Sequence, residues 1–195
     1  YLETFTLRWE SKALFNLGDD FKCDGSQFDK LFTDNEVIKL GELSCQVFHT
    51  PGHTPACVCY LIGNTLFTGD TLFMPDSGTA RCDFPGGSAE DLFKSIRRLY
   101  DSVPESTRCF VGHDYQPGGR EVLWETSIKM EKEANKQLSA GTSQAQFIEW
   151  RADRDKTLGA PRLLIPSLQV NLRNGRMPPP ESNGTAYLKV PINVI

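Results

Sequence analysis

The hydrophobic and polar positions from Ile38 to Asp70 follow the pattern of short strands joined by tight turns. The segment IKLGELSCQVFHT predicts two strands around a Gly-Glu turn, ACVCYLIG predicts a mostly buried strand, and TLFTGD predicts another strand after Gly63-Asn64. This succession predicts an antiparallel meander. Most of residues 1–40 show no clean period of either 2 or 3.6, so no element is predicted before Ile38.

Helical spacing of apolar positions begins beyond the FPGG turn. Ser88 is placed to cap a helix. The buried face of that helix is predicted from the stripe Leu92, Ile96, Leu99 and Tyr100. TRCFVGHD predicts a strand that ends in a polar loop, and two further helices are predicted at roughly Glu121 to Leu138 and Ser143 to Leu158. The Pro-rich tail is predicted to wrap the body as an extended segment.

The composition is that of a soluble globular protein. A chain of 195 residues with 39% hydrophobic and 24% charged residues is long enough to bury a real core. The net charge of -4 and the lack of a Lys/Arg stripe argue against a nucleic-acid partner. No apolar run approaches the roughly 20 residues that span a bilayer, and no signal-peptide pattern opens the chain. We therefore expect a cytoplasmic protein with no membrane partner.

The six cysteines include no C-x-x-C pair, so reduced thiols are expected. Cys57 and Cys59 are predicted to share one face of the ACVCYLIG strand, where free cysteines behave as small buried hydrophobes. A redox motif is therefore not favoured.

Three polar residues follow glycines at the ends of apolar strands, namely His53, Asp70 and His113. Strand ends on one edge of a layered sheet converge, so these side chains are predicted metal ligands. Two imidazoles and a carboxylate are the donors of a 2-His-1-carboxylate iron centre or of a mixed zinc site. The residues alone leave open that the histidines are hydrogen-bonded surface residues. His49 and His53 are four apart, but an intervening Pro-Gly pair excludes a helical zinc motif.

Two further residues near these positions are candidates for substrate contact. Arg81, in the loop GTARCDFPGG, is placed either to clamp a substrate carboxylate or to pair with Asp83. Tyr115 is placed either to donate a hydrogen bond to a substrate or to pack against its neighbours.

The segments TPGHTPACVCYLIG, LFTGDTLF, GTARCDFPGG and VGHDY together resemble the metallo-β-lactamase superfamily, in particular its persulfide dioxygenase and β-lactamase-like hydrolase branch, which is close to glyoxalase II. The resemblance covers roughly residues 18–195 and implies an αββα sandwich of mixed α/β class. It also implies that His53 and Asp70 are iron ligands and that His113 lies where the hydrolases hold a second metal. In this branch Arg81 corresponds to a contact for the thiol-bearing carrier.

One hallmark of that family, H-x-H-x-D-H, is missing from this sequence, which contains only three histidines. We therefore expect a single domain over residues 1–195 that corresponds to the C-terminal two-thirds of the family domain and is incomplete at its N-terminus. Part of the metal site would be missing, so the site could lack a metal. The exposed sheet face of such a half sandwich predicts association with another copy as a homo-oligomer.

Three functions remain open from the sequence. The first is a non-haem iron dioxygenase that oxidises glutathione persulfide, or a similar small persulfide, to sulfite. Asp70 and Tyr115 would be its catalytic residues, with Arg81 and Tyr115 binding the substrate. The second is a zinc-dependent, glyoxalase II-like thioester hydrolase. The third is a truncated, catalytically inactive family member whose candidate ligands are free or paired with other side chains.

Overall fold

The computed structural model describes residues 11–19 and 21–192. The chain divides into two compact units. One is Phe32–Leu158, and the other combines Tyr1–Leu31 with Gly159–Ile195. The predicted single domain over residues 1–195 stays a prediction.

The unit Phe32–Leu158 contains a six-stranded sheet with the strand order β1-β2-β3-β4-β5-β6. The strands are β1 Val37–Leu40, β2 Leu43–His49, β3 Val58–Ile62, β4 Thr65–Gly69, β5 Arg108–Val111 and β6 Glu125–Ser127. Strands β1 to β4 pair antiparallel, which confirms the predicted meander. Gly41 and Gly63 occupy the tight turns at φ +62° and +58°, a region that glycine enters without steric cost.

Strand β5 pairs with β4 in the parallel sense, so the chain must cross over between them. The crossover contains helix α1, Ala89–Ser102, which begins at the predicted cap, where the Ser88 hydroxyl accepts a hydrogen bond from the Asp91 amide. The predicted apolar stripe of α1 is buried and packs on the sheet. Because β4 and β5 are parallel, their carboxyl ends lie at the same edge of the sheet.

The prediction of a helix at roughly Glu121 to Leu138 is wrong in its first part. Glu125–Ser127 form β6, antiparallel to β5, and helix α2 covers only Ile128–Ala134. Pairing with the open edge of β5 overrides the local helical pattern. The next predicted helix is confirmed as α3, Gln144–Asp155, which begins with a capping box between Ser143 and Gln146.

In the other unit, the tail predicted to be extended contains helix α4, Leu164–Asn171. Pro166 lies in the first turn of α4, where the missing amide hydrogen breaks no helical hydrogen bond. After α4, residues 176–192 form no helix or strand. The buried Gln169 side chain holds this segment by exchanging two hydrogen bonds of 2.8 Å with the Lys189 backbone.

The mixed α/β class predicted from the sequence is confirmed. All the strands in residues 11–19 and 21–192 belong to one sheet, so the second sheet of an αββα sandwich is not found in this part of the chain. Within the same residues, no helix has the length and apolarity that a membrane crossing requires.

Candidate metal centre

The three predicted ligands lie at one edge of the sheet. Asp70 follows β4 directly, and His113 is the second residue after β5. Their loops are joined where the Gly112 amide donates to the Gly69 carbonyl at 3.2 Å. A Cβ on Gly112 would lie 2.9 Å from that carbonyl oxygen and 3.1 Å from Asp70 Oδ1, so only glycine fits this approach.

The loop that carries His53 is fixed against the N-terminal end of α1. The Gly52 carbonyl accepts from the Ser88 amide at 2.8 Å, and the Pro51 carbonyl accepts from the Ser95 hydroxyl at 2.7 Å. Gly52 has φ +147°, and a Cβ there would overlap Leu92. These contacts place His53 on a rigid support rather than on a free loop.

Buried threonines support the segment around Asp70. The Thr50 and Thr71 hydroxyls are 2.8 Å apart, which links the His53 loop to the residue after Asp70. The Thr68 hydroxyl donates to the Leu72 carbonyl at 2.7 Å, closing the backbone around Asp70. All three threonines are buried, so their hydrogen bonds are shielded from water.

Both imidazoles face the same carboxylate. His53 Nε2 lies 3.5 Å from Asp70 Oδ2, and His113 Nε2 lies 3.3 Å from Asp70 Oδ1. The His53 side chain is 13% exposed, whereas that of His113 is 56% exposed. Across residues 11–19 and 21–192, however, no group of three or more His, Cys, Asp or Glu side chains is arranged to hold a metal ion. The structure therefore brings the predicted residues together in pairs around Asp70 and does not form a complete cage.

The orientation of His53 is set by its other ring nitrogen. Nδ1 lies 2.7 Å from the Arg81 carbonyl oxygen, which can only accept, so Nδ1 carries a proton. The Phe84 ring packs edge-on against the imidazole at 5.0 Å between centroids. In the neutral ring, this tautomer turns the Nε2 lone pair toward Asp70.

A lone pair that faces a carboxylate oxygen is unfavourable unless a positive charge lies between them or the ring is protonated. A metal ion would supply that charge, and a backbone carbonyl on the other nitrogen is a usual partner of a ligating histidine. The donor set of His53, Asp70 and His113 therefore fits part of a metal site. Without a metal, the two histidines would simply stay paired with Asp70, which is the arrangement expected for an inactive family member.

The side chain of Arg81 forms the pair with Asp83 that the sequence left open. Its Nε and one terminal nitrogen each lie 2.5 Å from a carboxylate oxygen of Asp83, and these hydrogen bonds lower the pKa of that carboxyl below its ordinary value. The guanidinium also lies over the Phe84 ring, at 5.0 Å from its centroid. A substrate contact by Arg81 stays a prediction.

Tyr115 is largely exposed beside the candidate centre. Its ring lies 6.0 Å from that of His113 and 5.6 Å from that of Phe73, measured between centroids. Partial burial, assisted by the negative charge of Asp70, raises the pKa of its hydroxyl above the ordinary value. The hydroxyl is therefore a hydrogen-bond donor at neutral pH, as the predicted substrate contact requires.

A sequence model of the metallo-beta-lactamase superfamily matches residues 6–113, more than half of the chain. The chain belongs to this superfamily. It is 50% identical over 185 residues to "Glyoxylase B2" of Dictyostelium discoideum, covering 94% of this chain and 63% of that protein. It is 47% identical over 192 residues to a probable metallo-hydrolase of Burkholderia pseudomallei, covering 93% and 65%. The crystal structure of ETHE1 from Myxococcus xanthus is similar, with a TM-score of 0.65 and 34% identity over 74% of this chain and 60% of that one.

Membership of the metallo-beta-lactamase superfamily agrees with the family predicted from the motifs. Members of this superfamily bind metals, and the chain therefore belongs to a family of metal-dependent hydrolases. The chain spans less than two thirds of the length of each of these two relatives.

The two cysteines near His53, Cys57 and Cys59, do not form a reactive redox pair. Cys59 is buried in β3, and burial raises its pKa to about 11. Cys57 lies just before β3 and contacts the Thr54 hydroxyl at 3.1 Å, and burial raises its pKa as well. Both thiols are therefore protonated at neutral pH, whereas the thiolate is the reactive form.

Sequence reasoning missed the polar contacts around the His113 loop. Asp114 is the next residue, and its side chain is 3% exposed and accepts hydrogen bonds from Arg120 and from the amides of Gln116 and Leu123. Arg120 also binds Asp76, in the segment that follows Asp70. The only signal in the sequence is an acidic residue directly after His113 with an arginine six positions later, in a Gly-rich loop.

Proposed function

We propose that His53, Asp70 and His113 hold Fe(II) and that the reaction oxidises the outer sulfur of glutathione persulfide, or of a similar small persulfide, with O2 and water, giving sulfite, the free thiol and two protons. The observation that carries this proposal is the pair of imidazole nitrogens facing the two oxygens of one carboxylate, at 3.5 and 3.3 Å. Two histidines and one carboxylate are the donors typical of non-haem Fe(II) oxygenases. The resemblance of the motifs to the persulfide dioxygenase branch supports the same choice.

The residues of this chain would contribute mainly by binding and orienting. Bound Fe(II) would supply coordination positions for O2 and for the substrate sulfur. His53 is held for ligation through its hydrogen bond to the Arg81 carbonyl. The Arg81 guanidinium would bind a carboxylate of the thiol carrier by sharing or exchanging its contact with Asp83. The exposed Tyr115 hydroxyl would donate a hydrogen bond to the same substrate.

Iron loading under anaerobic conditions, followed by O2 uptake and sulfite analysis with glutathione persulfide, tests the proposal. We expect about one iron per chain and persulfide-dependent O2 uptake. Asp70→Asn should abolish both, because an amide is a poorer ligand than a carboxylate. Glu133→Gln, on an exposed face of α2, should leave both unchanged. An iron-loaded chain that consumes no O2 with the persulfide would contradict the proposal.

Zinc-dependent thioester hydrolysis is a second candidate, supported by the names of the relatives "Glyoxylase B2" and probable metallo-hydrolase. Metal analysis of the purified protein discriminates between the two. Zinc together with thioesterase turnover supports hydrolysis, whereas iron together with O2 uptake supports the dioxygenase. A chain that binds neither metal and keeps its histidines paired with Asp70 would be an inactive family member.

A further inference from the structure

The guanidinium of Arg120 joins the two loops that carry Asp70 and His113. Its Nε and one terminal nitrogen bind the two oxygens of Asp76 at 2.6 and 2.8 Å. The two terminal nitrogens also bind the two oxygens of Asp114 at 2.6 and 2.8 Å. A further hydrogen bond of 2.9 Å reaches the Glu121 carbonyl. These five hydrogen bonds match the five N–H donors of a guanidinium.

Asp114 is the anchor of the His113 loop. Its side chain is 3% exposed and accepts from the Leu123 amide at 2.7 Å, so it joins the start of the loop to its end. Arg120 compensates the buried charge of this carboxylate. Without that partner, Asp114 would be a buried anion with only backbone amides to stabilise it, and such groups are costly.

Asp76 is the anchor on the other side. It lies in a turn closed by a hydrogen bond of 2.9 Å from the Phe73 amide to the Gly78 carbonyl. This turn begins three residues after Asp70. A contact between Asp76 and Arg120 therefore fixes the Asp70 segment relative to the His113 loop.

We propose that Arg120 is a positioning residue that holds the His113 imidazole beside the Asp70 carboxylate. The inference rests on the proposed function in one respect, the assignment of Asp70 and His113 to the metal site. Lysine cannot replace this arginine, because a compact ammonium group cannot bind two carboxylates in a bidentate manner.

The Phe73 and His113 rings report directly on this positioning. Phe73 belongs to the Asp70 segment, and its ring lies 6.1 Å from the His113 ring in an edge-on arrangement. An NMR cross-relaxation peak between the two rings therefore measures the placement of one loop on the other, with no metal present. A residue that only stabilised the fold would change the unfolding temperature and leave this peak in place.

The experiment compares Arg120→Gln and Arg120→Lys with Arg108→Gln. Arg108 forms a matched bidentate pair with Glu125, at 2.6 and 2.8 Å, at the opposite end of β5 from His113. Asp76→Asn is a milder variant, because it leaves the buried Asp114–Arg120 pair intact and is expected to fold. The ring-to-ring peak, the affinity for Zn²⁺ alone and the unfolding temperature are measured for each protein.

We expect both Arg120 variants and Asp76→Asn to lose the peak between the Phe73 and His113 rings. Their affinity for Zn²⁺ should fall about 10- to 100-fold, the size of effect seen when a group that orients metal ligands is removed. Arg108→Gln should retain the peak and the affinity. The inference would be overturned if folded Arg120→Lys and Asp76→Asn kept the peak between the two rings. It would also be overturned if Arg108→Gln lost the peak to the same extent as the Arg120 variants. If the unsubstituted chain binds no Zn²⁺, the metal assignment fails, while the peak still decides the role of Arg120.

Discussion

At the scale of single residues, Gly112 has little space for a side chain at the candidate centre. Its backbone passes so close to the Asp70 loop that any Cβ must displace the Gly69 carbonyl or the Asp70 carboxylate. We expect Gly112→Ala to reduce the free energy of unfolding by about 1–3 kcal/mol, as overpacking usually does, and to weaken metal binding. Urea unfolding and Zn²⁺ titration measure the two effects.

Gly141→Ala is the matched control for this substitution. A Cβ at Gly141 has no neighbour within 4 Å, and that glycine does not require a positive φ. The control should keep the original stability and affinity. Equal behaviour of the two alanine variants would show that the approach of Gly112 to Asp70 has no effect on the centre.

The site residues that could be predicted from the sequence are those that lie at the ends of predicted strands. The sequence predicts that His53, Asp70 and His113 lie together because each is next to a glycine at one end of an apolar strand. The Asp76–Arg120–Asp114 contacts could not be predicted in the same way, because they join loops 44 positions apart. Contacts of this kind depend on the parallel pairing of β4 with β5, which no local pattern indicates.

At the scale of elements, the meander and α1 were predictable because their apolar periods and turn residues agree with the fold. The segment from Glu121 to Ser127 was not predictable, because its strand exists through pairing with β5 rather than through its own residues. The short helix α2 that follows is attached to the Asp70 segment by side chains. Asn135 binds the Glu131 carboxylate at 2.7 Å and the Gly78 carbonyl at 3.3 Å.

Glu131 makes the attachment of α2 sensitive to pH. Its side chain is fully buried, one carboxylate oxygen has no hydrogen-bond partner among the described residues, and burial raises its pKa from 4.5 to about 8. Between pH 4.5 and 8, the unfolded chain releases this proton while the folded chain retains it. The folded state should therefore lose about 1.4 kcal/mol of stability from this group for each pH unit across that window.

Replacing Glu131 with Gln removes the titration while keeping the shape of the side chain. We expect the stability of Glu131→Gln relative to the unsubstituted chain to increase steadily from pH 5 to pH 8 and then to level off. Urea unfolding at several pH values measures this difference. Glu133→Gln, on the exposed side of α2, should follow the original pH profile. Parallel profiles for Glu131→Gln and the unsubstituted chain would contradict the assignment.

At the scale of the whole molecule, the sheet of the unit Phe32–Leu158 retains exposed apolar side chains. Phe67 in β4 is 43% exposed and packs against Phe110 in β5, with ring centroids 5.7 Å apart. Val37, Leu40 and Leu43 are exposed at β1 and at the start of β2, and β1 is an edge strand. An exposed apolar surface next to an open strand edge favours pairing with another chain.

We therefore expect the chain to self-associate, as the sequence predicted, and we expect Phe67→Lys to weaken that association. The lysine adds a charge to the exposed aromatic surface, and burying that charge in an interface is costly. Sedimentation equilibrium over a range of concentrations measures the association constant, and circular dichroism checks the fold. Val190→Lys is the control, because Val190 is an exposed apolar residue in the irregular tail rather than in the sheet. A monomer at all concentrations, or equal weakening by both lysine substitutions, would exclude the sheet surface as the site of association.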